Sequence, residues 1–300
     1  MKTPNVAASV RHRLLTLARA KNWEYNRVLT RYGVERLLCR LAASPHGERF
    51  LLKGAMLFSV WEGVPHRATK DLDLLGLRRR SLDELLALFR EVIATPVEPD
   101  GLVFGEVSAE PIRAAMEAGG IRVILRAELA AARVTVQVDV GFGDATVPPP
   151  VMVEFPTLLD TPKPKLRAYP PETVIAEKLE AMVRLGMGNS RMKDFFDLWH
   201  LSRTYPFVGA VLADAIRATF AARNTPLPMG RITALTADFV EDRSKQMQWN
   251  AFVRQAAVAE HTPELSEVAR CLREFLEPVL VGLQVNFTPP GQWQPTKGWQ

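Results

Sequence analysis

"RATKDLDLLG", Arg67–Gly76, carries two aspartates, Asp71 and Asp73, each followed by a leucine. Read as a strand, the stretch alternates, so Asp71 and Asp73 share one face while Leu72 and Leu74 share the other. Like charges on one face repel, and a fold tolerates them best where something positive sits between them. That something is solvent, an arginine or a metal ion. The alternation recurs in "RVTVQVDVGF", Arg133–Phe142, where Val134, Val136, Val138 and Val140 form an apolar face and Thr135, Gln137 and Asp139 a polar one. If the two strands are neighbours, Asp71, Asp73 and Asp139 converge on one side of a sheet. Magnesium favours such hard oxygen ligands and keeps positions open for phosphate. Paired ions of this kind activate an attacking oxygen and stabilise leaving pyrophosphate. A solvent-facing edge strand is the plain alternative, and the DxD alone does not separate the two.

The context upstream favours the first. "RFLLKGAMLFSVWEGV", Arg49–Val64, is nearly all apolar except where Lys53 and Gly54 interrupt it, as at a strand-to-helix turn. Backbone amides at such a turn can bind phosphate; an ordinary tight turn is the alternative. Downstream, Ser81 with Glu84 three residues on forms a capping-box pattern ahead of a helix. Residues 7–44 read as two helices, and residues 101–142 switch to a period of two and read as strands. "TPKPKLRAYPPE", Thr161–Glu172, is a proline-rich connector, beyond which the chain reads as helical to about residue 285. The tail, "TPPGQWQPTKGWQ", has no helical period and reads as an arm whose tryptophans dock onto the body. The expected class is α+β, a mixed sheet core flanked by helices with a mainly helical C-terminal half. The expected divisions are 1–50 (N-terminal helices), 51–160 (sheet core), 161–287 (helical domain) and 288–300 (tail).

Three hundred residues, 47% of them hydrophobic, are ample for a buried core. The net charge of +5 is a mild basic excess that suits a phosphate-rich partner without requiring one. Cys39 and Cys271 lie far apart in apolar helical sequence and read as buried reduced thiols, with no CxxC spacing for zinc. No run approaches a membrane span, so the expectation is a soluble, cytoplasmic protein with no membrane partner.

On "ETVIAEKLEAMVRL", Ile175, Lys178, Leu179 and Met182 share a stripe, so Lys178 points toward protein or a cleft rather than bulk water, a lysine snorkelling to the surface being the alternative. On the next helix Asp194 and Asp197 share a face, with Arg191 one turn before Asp194 and able to pair with it. Arg67 and Lys70 precede the DxD and can neutralise phosphate or an RNA backbone. Thr69 can present a hydroxyl near a metal, cap the strand or be modified. Arg27, Arg31, Arg36 and Arg40 are either an RNA-binding surface or solvated helix faces. No Ser-His-Asp arrangement and no HxxxH pair emerges.

"YGVERLLCRLAAS", "FLLKGAMLFSVW", "RATKDLDLLG", "YPPETVIAEKLEAMVRLG" and "RMKDFFDLWHL" fall in this order over roughly residues 30–202. In these stretches the chain resembles the DNA polymerase β-like nucleotidyltransferases, and more closely the AbiEii toxins of type IV toxin–antitoxin systems. The resemblance implies a magnesium-dependent enzyme that moves a nucleoside monophosphate from an NTP to an RNA, with the 3′ end of tRNA as acceptor. It further implies a block on translation, a role in phage defence, and an antitoxin that need not touch the toxin. A protein or small-molecule hydroxyl as acceptor, or an idle RNA- or protein-binding module, are the alternatives. By resemblance Asp71 and Asp73 hold the metal–nucleotide complex, with Asp139 as the third carboxylate. Lys178 contacts nucleotide phosphates, and Asp194 is the later essential acid with Asp197 beyond it. Arg191 is a weaker candidate. Where the superfamily often has Gly-Ser or Gly-Gly, this chain has Gly54-Ala55, so nucleotide binding leans on Lys53 and the Gly54 and Ala55 amides, with Arg67 and Thr69 nearby.

Overall fold

The computed structural model describes residues 5–63, 69–112, 119–256, 262–284 and 291–300. The chain folds as two compact units, Met1–Gly143 with Val151–Ala168, and Asp144–Pro150 with Tyr169–Gln300.

The first unit opens with helices α1 (Val6–Ala20) and α2 (Tyr25–Ala43). Then come β1 (Phe50–Lys53), α3 (Met56–Glu62), β2 (Leu72–Gly76), α4 (Leu82–Ala94), β3 (Leu102–Pro111), β4 (Ile121–Leu129) and β5 (Ala132–Phe142). β6 (Val151–Glu154) and β7 (Lys165–Ala168) close it. Among the described residues these strands form one seven-stranded mixed sheet in the order β3-β4-β5-β2-β1-β7-β6. β2 runs parallel to β5, and β1 parallel to β7. The apolar face of β5 is buried along Val134, Val136, Val138 and Val140. α2 packs on it so closely that a Cβ on Gly33 would come within 2.8 Å of both Val134 and Val136. α4 begins with the capping box read from the sequence. Glu84 N–H donates to the Ser81 hydroxyl at 3.2 Å, and Ser81 N–H donates back to the Glu84 carboxylate at 2.7 Å, a cap worth about 1 kcal/mol.

Two features depart from the sequence reading. The proline-rich connector contains β7, and the stretch before it contains β6; four residues each are too few to show a period of two. The arginines of α2 are neither an RNA surface nor solvated faces at two of their four positions. Arg40 is buried and binds Asp100 through both nitrogens, at 2.6 and 3.2 Å. Arg36 is buried against Glu35 at 2.6 Å and donates to the Thr161 hydroxyl. Glu35 in turn accepts the Leu158 N–H at 2.7 Å. These arginines pin α2 to the loops around residues 100 and 160.

The second unit holds α5 (Pro171–Leu185), α6 (Met192–Thr204), β8 (Phe207–Val208), α7 (Gly209–Ala222), α8 (Ala237–Glu241), α9 (Arg243–Ala256) and α10 (Leu265–Gln284). The tail supplies β9 (Gln292–Gln294), which pairs with β8, and β10 (Gly298–Trp299), which pairs with β9, in a small antiparallel sheet. Trp293 is buried and donates to the Ser202 carbonyl at 2.7 Å, and Trp299 donates to the Phe275 carbonyl at 3.0 Å. Both indoles lie against the Phe275 ring, so the tail is docked. Cys39 and Cys271 are free thiols, half-buried rather than buried. No helix among the described residues is long and apolar enough to cross a membrane.

Candidate active site

The pairing of β2 with β5 sets Asp73 directly opposite Asp139. On the outer side of Asp73, β1 places Lys53 opposite it. On the outer side of Asp139, β4 places Arg122. Residues opposite one another on adjacent strands, about 4.8 Å apart, share a face of the sheet. The result is a transverse row, Lys53–Asp73–Asp139–Arg122, with two carboxylates in the middle and a cation at each end. β3 extends it with Glu110 opposite Arg122. Asp71 lies exposed one residue ahead of β2, two before Asp73. The positive charge that such carboxylates call for stands on β1 and β4, the strands that flank the β2–β5 pair.

Arg122 was not among the residues picked out from the sequence. Its Nε donates to Asp139 Oδ1 at 2.9 Å and its Nη2 to Oδ2 at 2.8 Å. The hydrogen bonds it donates to Asp139 hold the guanidinium above its ordinary pKa, against the opposing effect of burial and helped by the charges of Asp139, Asp71 and Glu110. A bidentate fork of this kind is the strongest pairing a carboxylate makes with a side chain. The alternation of "IRVILRAEL" puts Arg122 on a polar face, but only the strand register brings it to Asp139.

Gly54 has a different use from the one its position suggested. Its φ is +71°, in the left-handed region that glycine enters without strain. A Cβ there would lie 2.0 Å from Asp73 Oδ2 and 2.7 Å from its carboxyl carbon. The missing side chain makes room for the Asp73 carboxylate. Ala55 is buried at the start of α3, and Lys53 is buried at the end of β1. Thr69 is half-buried and Lys70 exposed ahead of Asp71. Arg67 lies outside the described residues.

The donor set fits a magnesium ion of a particular kind. Among the described residues no three His, Cys, Asp or Glu side chains are arranged to hold a metal. Magnesium at a nucleotide site, however, is held by one or two carboxylates and completes its shell with phosphates and water. Asp71 and Asp73 supply two carboxylates of that kind, and the bare Gly54 leaves room for the second.

In the second unit α5 and α6 carry a second constellation. Lys178 Nζ lies 2.6 Å from Asp194 Oδ1 and 2.8 Å from Asp197 Oδ2. Arg191 Nε meets the other Asp194 oxygen at 2.5 Å. The Lys178 side chain is 11% exposed, and those of Asp194 and Asp197 are 1% and 0%. The lysine points inward, as its helical stripe implied, and Arg191 pairs with Asp194. Burial works against the Asp194 charge, but Lys178 first and Arg191 next hold its pKa below the ordinary value. A neighbouring network, also unread in the sequence, joins Arg223 to Asp144, Glu177 and Glu180 at 2.8, 3.2 and 2.8 Å. Glu180 also takes Arg184 at 2.9 Å and the Thr225 hydroxyl at 2.7 Å.

A mixed sheet with a DxD strand beside a glycine turn is the arrangement that the resemblance to nucleotidyltransferases implied. In fold the chain is similar to JHP933 from Helicobacter pylori, with a TM-score of 0.50 at 17% identity, over 86% of this chain and 94% of that one. A candidate nucleotidyltransferase from H. pylori is similar at a TM-score of 0.49 and 17% identity, over 85% and 96% of the two chains. No curated protein matches the sequence. The family described as nucleotidyl transferase AbiEii toxin, type IV TA system, matches residues 36–271. The chain belongs to that family, and it is a nucleotidyltransferase of the toxin type.

Proposed function

We propose that this protein moves a nucleoside monophosphate from an NTP to an RNA hydroxyl in a magnesium-dependent reaction, with the 3′ end of tRNA as the acceptor we favour. Translation then stops for want of usable tRNA. The observation that carries the reading is the transverse row, in which Asp73 sits between a lysine and a second carboxylate with Asp71 beside it.

In this reading Asp71 and Asp73 hold the metal–nucleotide complex, and a bound divalent ion supplies charge neutralisation along the triphosphate. Lys53, with the Gly54 and Ala55 amides, faces the phosphates; Thr69 and Arg67, two and four residues before Asp71 in the sequence, are kept as nucleotide contacts by resemblance. The acceptor oxygen attacks the α-phosphorus, the bond to the β-phosphate oxygen breaks, and pyrophosphate leaves. The hydroxyl proton passes to a carboxylate or to solvent. Lys178 as a phosphate ligand and Asp194 as an essential acid, with Asp197 and Arg191 behind them, are carried by resemblance to the family motifs.

RNA as acceptor rests on the family and on the basic surface. With Arg36 and Arg40 withdrawn into ion pairs, the exposed arginines that remain include Arg49, Arg78 and Arg79. Leu77 N–H donates to the Arg49 carbonyl at 3.1 Å, which brings these arginines to one end of β1 and β2. Exposed guanidiniums of this kind bind a phosphate backbone without reading sequence. A cytoplasmic setting and a cognate antitoxin that need not bind directly complete the proposal.

The test is transfer of label from each of the four α-labelled NTPs, with magnesium, to total cellular RNA, beside an Asp71→Ala/Asp73→Ala protein. Label in an RNA band only with intact aspartates supports the proposal and names the nucleotide. Label on a protein or small molecule instead removes the RNA acceptor. No label anywhere, with no NTP bound, removes the transferase.

A further inference from the structure

The expected third metal ligand, Asp139, is already paired with an arginine. Both its oxygens accept from Arg122, and Oδ1 also accepts from the Gln137 amide at 3.4 Å. Asp71 and Asp73 with the triphosphate's own oxygens are a sufficient ligand set for magnesium. Arg122 donates to Asp139 through Nε and Nη2, which leaves Nη1 directed away from the fork. Its side chain is 33% exposed and that of Asp139 20%, so the pair forms part of an open face rather than of the core. Asp71 and Glu110 add to the field that keeps the guanidinium charged. Two strand spacings, about 10 Å, separate Arg122 from Asp73 at the backbone, and its side chain reaches back along the row toward Asp139 and so toward Asp73.

We propose that Asp139 and Arg122 work as one unit that presents a guanidinium to the nucleotide: Arg122 binds the triphosphate, and Asp139 is the positioning residue that aims it. The row then has a simple logic. Lys53, opposite Asp73 in the register, and Arg122 flank the place where the triphosphate's charge arrives, and Arg122 rests against Asp139 until it does. An arginine fixed by a bidentate carboxylate keeps its planar fork preorganised, so little side-chain entropy is lost when it meets phosphate. The inference rests on the nucleotidyl-transfer reading and changes the role of one residue within it.

The experiment separates metal from nucleotide. Manganese binding without nucleotide, followed by electron paramagnetic resonance, is compared with binding of non-hydrolysable α,β-methylene NTPs in magnesium. The proteins are wild type, Asp73→Asn, Asp139→Asn, Arg122→Gln and the Asp139→Asn/Arg122→Gln double variant. Loss of one screened charge is expected to change manganese affinity in Asp139→Asn by only about threefold, whereas Asp73→Asn loses manganese binding. Asp139→Asn and Arg122→Gln each weaken NTP binding about 10- to 100-fold. The double variant loses no more than the weaker single, because the two residues act together.

Manganese lost in Asp139→Asn as completely as in Asp73→Asn overturns the inference, and so do single losses that multiply in the double variant. Unchanged NTP binding in both singles overturns it as well. Should a single variant fail to fold, the double, which removes both charges at once, carries the test: NTP binding must fall while manganese binding holds. A wild-type chain that binds none of the NTPs refutes the transferase reading, and the inference falls with it.

Discussion

The transverse row of the sheet and the Lys178 cluster use the same chemistry, two carboxylates against cations, under opposite conditions. In the row the carboxylates and Arg122 are partly exposed and lie on an open sheet face. In the cluster Lys178 is drawn between Asp194 and Asp197, both sealed from solvent. Exposed ion pairs contribute little to stability, about 0–1 kcal/mol, and can rearrange around a ligand. Buried ones cost several kcal/mol to break, because the surviving partner is left as an uncompensated charge. The row is therefore open to a ligand as it stands, whereas the cluster, besides the catalytic part proposed for it, also holds α5 and α6 together.

The largest effect should follow from breaking the cluster. Lys178→Met leaves Asp194 and Asp197 buried without their lysine and should cost about 3–5 kcal/mol, read as a melting point lowered by roughly 10 °C. A protein that melts as wild type would place the cluster with the row. Next comes Gly54→Ala, whose methyl would fall on the Asp73 carboxylate. It should reduce transfer about 100-fold through misplacement of Asp73, while the strained φ costs only about 1–2 kcal/mol. Unchanged transfer would mean that Asp73 does not need that position.

A smaller effect, confined to acid, follows from Asp194. Its folded pKa lies below the ordinary carboxylate value, burial opposing the charge but Lys178 and Arg191 prevailing. The stability it contributes is present above the unfolded value of 3.8 and is lost as pH falls from there through the folded pKa. Glu180, held low in the same way by Arg223 and Thr225 against its burial, adds to the loss. Urea unfolding should therefore show stability dropping below about pH 4, with a shallower drop in Lys178→Met. An equal drop in both proteins would assign the acid sensitivity elsewhere. Smallest of all, Arg27→Ala removes an exposed pair with Glu24 at 4.0 Å and should change stability by less than about 0.5 kcal/mol. A larger loss would show that α2 depends on its solvent face.

What the sequence disclosed followed from local geometry. The alternation in "DLDLL" and "VTVQVDV" fixes which side chains share a face, and the shared face of Asp73 and Asp139 follows once the strands are neighbours. The capping box at Ser81 and the inward stripe of Lys178 are equally local. Arg122 was hidden because its partner is set by strand register, which no single strand encodes. Arg36 and Arg40 looked like surface charges because what encloses them, the 158–161 loop at Arg36 and Asp100 at Arg40, is brought to them only by folding. β6 and β7 were missed because their pairing, rather than any pattern in four residues, makes them strands.

The central claim, that the row receives nucleotide, is tested most directly by Asp73→Asn: NTP binding with magnesium and the melting curve, measured on the same sample beside wild type. The account predicts binding lost and the melting point held, since Asp73 lies on an open face and serves a ligand. Binding retained at wild-type affinity would contradict it, as would a loss of binding that only accompanies a loss of fold.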